Sequence, residues 1–209
     1  MREQSNEPAA ASQPSDSPSL HYWDAYWDLR ESECPCDVHF VRWLDVNRIT
    51  GAAIYHFGTG GHHVVGIECA KPVRRNAVLG ITAAPQEYAA YVKLAIERPD
   101  VLRYYNVVFG DIYLLNEQLL PTFDVVTLFH LCEFRGEAND AYDALTDLEV
   151  AKLLTRKTKP GGHILYYPGS FAFDRADHSA KDVIAEWEKS EDVERVGPFE
   201  SLLVYRKRP

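Results

Sequence analysis

From Ala52 onward the chain alternates between two hydrophobic rhythms. Near-continuous apolar runs at 52–57 (AAIYHF), 76–81 (NAVLGI), 104–110 (YYNVVFG), 123–131 (FDVVTLFHL) and 162–168 (GHILYYP) each read as a strand buried on both faces. Between them apolar positions recur every three or four residues, the helical period. PQEYAAYVKLAIER opens with Pro85 at the first helical position and places Tyr88, Tyr91, Val92, Ala95 and Ile96 on one face. AYDALTDLEVAKLLTRK repeats apolar residues at Ala141, Leu145, Leu148, Ala151 and Leu154 and is predicted to stop at Pro160-Gly161-Gly162. SAKDVIAEWEKS turns Val183, Ile184 and Trp187 inward. Strands alternating with helices predict a parallel sheet with helices on both faces.

Both ends depart from this alternation. DVERVGPFESLLVYRK holds two strand-like pieces, Val193 to Val196 and Ser201 to Arg206, with too short a link for a crossover helix, so they are expected to be antiparallel neighbours. The predicted fold is therefore α/β: a mostly parallel seven-stranded sheet with an antiparallel C-terminal strand pair. Upstream, Tyr22, Trp23, Tyr26 and Trp27 recur at helical spacing in HYWDAYWDLRES, and VHFVRWLDVNRI is a second helix candidate. The aromatic stripe serves either as core packing or as the wall of a pocket. The first 19 residues are polar and rich in Ser and Pro, a disordered tail by composition. The expected layout is a tail at 1–19, a helical cap at 20–51 and the α/β domain at 52–209.

Composition narrows the partners. A hydrophobic content of 46% supports a sizeable core. With 31 acidic against 22 basic residues the formal charge is −9, which opposes binding to a nucleic-acid backbone. The basic runs KPVRR and YRKRP read as solvated ends. No apolar run is long enough to cross a bilayer, so no membrane partner is expected, and the N-terminus lacks a secretory signal core. Four cysteines without a paired framework fit a reducing, cytoplasmic setting. Nothing in the composition speaks to oligomeric state.

Candidate chemistry begins at HFGTGG, where the first strand runs into Gly58, Gly60 and Gly61. In an open parallel sheet the carboxyl ends of the strands are where ligands bind. A dinucleotide fingerprint fails here because its third glycine slot is His63; a tight structural turn and a ligand loop both remain open. Taken with FGDIY after the third strand, FDVVTLFHLCEF for the fourth, TKPGGHILYY for the fifth and the terminal strand pair, the chain from about Ala52 to Lys207 resembles the class I S-adenosylmethionine-dependent methyltransferases.

That resemblance implies a cofactor, S-adenosylmethionine, and a set of residues. His56, Gly58, Thr59 and Gly60 would flank its methionine part, Thr82 its ribose, and Asp111 the adenine amino group, with Gly110 and Ile112 shaping the adenine pocket. Phe129 to Leu131 would flank the transferable methyl. Two positions depart from the family pattern: His56 and Thr82 stand where acidic residues are usual, and a threonine cannot bridge two ribose hydroxyls as a carboxylate does. Glu87, in the following helix, is the nearby carboxylate able to compensate. The implied function is methyl transfer to an oxygen or nitrogen of a small molecule, with His130 and Glu133 as candidate bases for a hydroxyl acceptor. The alternative is a methyltransferase-like fold that has lost catalysis and acts as a binding or scaffold partner; a nicotinamide-dependent oxidoreductase ranks third. No G-x-S-x-G elbow marks a hydrolase. No metal is expected, because Cys34, Cys36 and His39 in CPCDVH, and His56, His62 and His63, lack a second ligand pair.

Overall fold

The structure is a computed structural model that describes residues 18–209. The expected tail falls mostly outside the described residues. Seven strands form one sheet: β1 (Ala53–Phe57), β2 (Ala77–Thr82), β3 (Tyr105–Phe109), β4 (Phe123–Leu128), β5 (Thr158–Tyr166), β6 (Val193–Phe199) and β7 (Leu202–Lys207). Their order is β3-β2-β1-β4-β5-β7-β6. The first five run parallel, and β7 is antiparallel to both β5 and β6. Strand order reverses between β1 and β4, which places the crevice at their carboxyl ends.

Among the described residues seven α-helices surround the sheet: α1 (Cys36–Val46), α2 (Val64–Ala70), α3 (Pro85–Glu97), α4 (Pro99–Leu102), α5 (Glu137–Asp140), α6 (Asp147–Lys157) and α7 (Ala180–Ser190). The strand period of two sorts side chains between two cores. Tyr55, Phe57, Val126, Leu128, Ile164 and Tyr166 meet Val150, Leu154, Ile184 and Trp187 of α6 and α7. Ile54, Val125, Leu165 and Val204 meet Phe40 and Leu44 of α1, Val65 of α2 and Tyr91 of α3. Both faces are covered, which is why these strands read as unbroken apolar runs.

Four helical expectations are corrected. No helix covers 18–35: this segment is a strap without regular structure until a turn at 31–33, and only α1 of the expected cap is helical. Its backbone bonds go to the body instead, Trp23 N–H donating to Ala83 O (3.1 Å), while Trp27 O accepts from Gly61 N–H (2.9 Å). Aromatic residues are mediocre helix formers, and here tertiary contacts take over their spacing. The helix expected from Ala141 begins at Asp147, because Thr146 caps it: Thr146 Oγ1 accepts from Glu149 N–H and Glu149 Oε2 accepts from Thr146 N–H. On α3, Val92 and Ile96 face solvent, and the inward positions are Glu87 and Tyr91. Lys-Pro-Gly-Gly does not end α6 but belongs to β5, which starts at Thr158. Among the described residues no helix is long and apolar enough to cross a membrane.

Candidate active site

A cavity of about 460 Å³ opens at the carboxyl ends of β1, β2, β3 and β4. Its walls include Phe57, Gly58 and Gly60 after β1, Thr82 and Glu87 after β2, Gly110, Asp111 and Ile112 after β3, and His130, Glu133 and Phe134 after β4. The strap closes the remaining side with Trp23, Tyr26 and Trp27, whereas Tyr22 stays outside. Trp23 and Trp27 stand edge-on to Phe134, and Tyr26 Oη donates to Gly61 O (3.1 Å). The Tyr26 ring occupies the space a side chain at residue 61 would need. Gly58 has φ +82°, and a Cβ there would stand 3.1 Å from His130 Cδ2. Glycine is thus required both by the turn and by the histidine ring beside it.

Sequence-expected site residues separate into two groups. Gly58, Gly60, Thr82, Asp111, Ile112, His130 and Glu133 come together around the cavity. His56, Thr59 and Phe129 do not line it. His56 is on the opposite face of β1 from its neighbours Tyr55 and Phe57; it stacks on Phe40, and its Nδ1 lies 2.8 Å from Thr127 Oγ1. Burial pushes its pKa down to about 3, so it is a neutral core histidine. Phe129 packs edge-on to Phe40 and His56, and Thr59 is buried against the position of Gly80.

A buried carboxylate stands beside Thr82, in the first turn of α3. Glu87 is 3% exposed, and its Oε2 accepts from Thr82 Oγ1 (2.8 Å). Its Oε1 is buried without a partner, and burial holds its pKa above the usual glutamate range. An unpartnered oxygen on a cavity-lining carboxylate fits a ligand bearing hydroxyl donors. Asp111 is largely occupied: Oδ1 accepts from Tyr113 N–H (2.9 Å), and Oδ2 accepts from Asn139 Nδ2 and Tyr142 Oη (2.7 Å each). A carboxylate has about four acceptor positions, so one on Oδ1 remains. A cofactor of S-adenosylmethionine type fits this set: Glu87 Oε1 would be available to a ribose hydroxyl, and Gly58 and Gly110 would offer it backbone without side chains.

The loop after β4 is held by Asp147, fully buried, which accepts from Cys132 N–H and Tyr113 Oη (2.8 Å each). This pins Cys132 at φ +69° and turns His130 and Glu133 into the cleft. His130 Nδ1 lies 3.1 Å from Glu133 Oε2, and Glu133 Oε1 accepts from Ser170 Oγ (2.5 Å) and Phe171 N–H (2.9 Å). Burial opposes charge on His130, but Cys34 and Glu133 outweigh it and raise the pKa to about 10. Cys34 falls to about 4, chiefly through the hydrogen bond from Cys36 and then through His130. The sequence reading did not place Cys34, Cys36, Asp37 and His62 in the cleft, yet all four line it. His62 Nε2 is 3.7 Å from Asp37 Oδ2, and burial raises Asp37 to about 7. The signal was present in CPCDVH and in the histidine pair after the glycine loop, but only the fold joins them.

No family model matches the sequence, and no curated protein matches it significantly. Solved structures do. The CcbJ methyltransferase from Streptomyces caelestis superposes with a TM-score of 0.60 at 13% identity, covering 88% of this chain and 94% of that one. The chain has the class I methyltransferase fold. The N-methyltransferase NodS from Bradyrhizobium japonicum, in complex with S-adenosyl-L-homocysteine, gives 0.55 at 14% identity over 83% of this chain and 87% of its own. The [4+2]-cyclase SpnF gives 0.58 at 14% identity over 91% and 88%. The methyltransferase fold thus also carries a cyclase, and the reaction has to be argued from the site.

Proposed function

We propose that this chain transfers a methyl group from S-adenosylmethionine to an oxygen or nitrogen of a small-molecule acceptor. The observation that carries the reading is the unpartnered Glu87 oxygen in a cleft at the switch point of a methyltransferase fold. When bound, the cofactor supplies a methyl group already activated on a sulfonium. The residues of the chain have to hold, orient and exclude water. Glu87 and Thr82 would take the ribose hydroxyls, Gly110 and Ile112 would flank the adenine, and Gly58 would admit the methionine part. Trp23, Trp27 and Phe134 shield the cleft from solvent. For an amine, in-line placement supplies much of the rate. For a hydroxyl, Asp37 and Glu133 would take the proton, among the several carboxylates that line the cleft. His130 holds Glu133 in place, and the neighbouring Cys34 and Glu133, which raise its pKa to about 10, favour its charged form over that of a free base.

Calorimetric titration with S-adenosylmethionine and S-adenosylhomocysteine, with NAD as control, tests the reading. Saturable micromolar binding of the first two is expected, and Glu87→Gln should weaken it about ten- to a hundredfold, the worth of one to two charge-assisted hydrogen bonds. Because Glu87 protonates at a higher pH than an ordinary glutamate, wild-type affinity should fall early on acidification, and the Gln variant should lose that dependence. A folded sample that binds neither ligand leaves the scaffold alternative standing.

A further inference from the structure

One wall of the cleft carries three donor atoms that methyl transfer does not use. Cys34 Sγ and Cys36 Sγ lie 3.5 Å apart, Cys36 Sγ lies 3.9 Å from His130 Nε2, and all three atoms fall within 4.8 Å of one another. A tetrahedral zinc ion, with bonds of about 2.3 Å to sulfur and about 2.0 Å to nitrogen, holds its ligands roughly 3.5 to 3.8 Å apart. The donors already stand near three corners of such a tetrahedron. We propose that Cys34, Cys36 and His130 form a zinc site whose fourth position opens into the cleft.

Independent features support the site. His130 commits its other nitrogen as zinc-bound histidines do, with Nδ1 facing Glu133 Oε2 at 3.1 Å. Glu133 is itself fixed by Ser170 and Phe171, so the ring orientation is set from behind. The absence of a side chain at Gly58 leaves room for that ring. Two thiols and an imidazole are a soft donor set that selects zinc over magnesium or calcium. Three protein ligands with an open position match the catalytic type of zinc site, whereas structural sites close with four. The open side faces the cavity, since all three ligands line it. Binding displaces the protons these groups carry, so uptake releases protons and weakens in acid. An acceptor oxygen or nitrogen would complete the coordination; that extension alone rests on the methyl-transfer reading.

The test reads metal binding and not turnover. The full chain, reduced and stripped with chelator, is titrated with cobalt(II) as probe and then with zinc. About one equivalent should bind with a thiolate-to-cobalt charge-transfer absorption that zinc abolishes. Cys34→Ser and His130→Gln should each weaken zinc at least about a hundredfold, and Glu133→Gln about ten- to a hundredfold, the usual range for an outer-shell partner. Cys69→Ala, on α2 away from the cleft, should change nothing. Circular dichroism separates a lost ligand from a lost fold, and Cys34, half-buried in the turn before α1, is the ligand whose replacement is best tolerated. A folded, reduced wild type without the thiolate band, or a band that survives both Cys34→Ser and Cys36→Ser, overturns the site. Failure to bind S-adenosylmethionine in a sample that retains zinc overturns only the methyl-transfer reading.

Discussion

His63 shows how burial sets a charge state in this protein. Its ring sits between the Tyr105 hydroxyl (2.8 Å) and the Glu87 carbonyl (3.0 Å), and burial pushes its pKa down to about 4. In the unfolded chain the same group titrates near 6.5. As pH falls below that value the unfolded state takes up a proton that the folded state refuses until about 4, so stability is lost across this window. From pH 7 to pH 5 the loss from this residue alone is about 2 kcal/mol. Urea unfolding at the two pH values should show the wild type losing that much more than His63→Gln. An acid response equal to that of the variant would mean the ring is solvated. At this scale the sequence was only partly legible. Glycines and Asp111 announce themselves by type and position, and Glu87 could be named as the carboxylate near Thr82, but the hydrogen bond that joins the two is made by the fold and by no spacing rule. His56 misled for a related reason: strand alternation aims it at Phe40, away from the cleft.

At the scale of elements, the strands were the most legible feature. Double-sided burial makes them continuous apolar runs, and the observed boundaries of β1 to β3 lie within a residue or two of the expected ones. The helices show where pattern and capping compete. The apolar repeat that starts at Ala141 has helical spacing, but Asp143 adopts φ +54° and Thr146 forms a capping box with Glu149, so α6 starts at Asp147. At its other end Lys207 Nζ donates to the carbonyls of Thr155 (2.9 Å) and Thr158 (2.8 Å), satisfying acceptors that a helix terminus leaves open. Thr146→Ala should therefore destabilise the protein by about 1 kcal/mol, read as a lower urea midpoint at unchanged slope. Thr146→Asn, which also caps, should recover most of it.

At the scale of the molecule, the strap is the element that turns an open crevice into an enclosed cleft. The first described residues cross the sheet edge instead of forming the expected helix, and they are held by scattered bonds: His21 to Tyr142 (3.3 Å), Trp23 to Ala83, Trp27 and Tyr26 to Gly61, Gln86 to Asp24 (2.8 Å) and Arg42 to Glu31 (2.8 Å). Tyr22, Tyr26 and Trp27 remain substantially exposed, so the strap buries little apolar area relative to the two cores on either face of the sheet. A segment held this way lies at the low end of local stability and can open without unfolding the rest. Its energetic weight falls on the ligand instead, because Trp23, Tyr26 and Trp27 supply a full side of the cavity. Removing residues 1–29 should lower the melting temperature by only a few degrees. It should also weaken S-adenosylmethionine binding at least about tenfold, through a faster off-rate and a cleft open to water. Stopped-flow dissociation of the truncated and full chains measures both the size and the kinetic origin of that loss. An unchanged off-rate would show that the glycine loop and Glu87 hold the cofactor without the strap, and would confine the aromatic side chains to the acceptor.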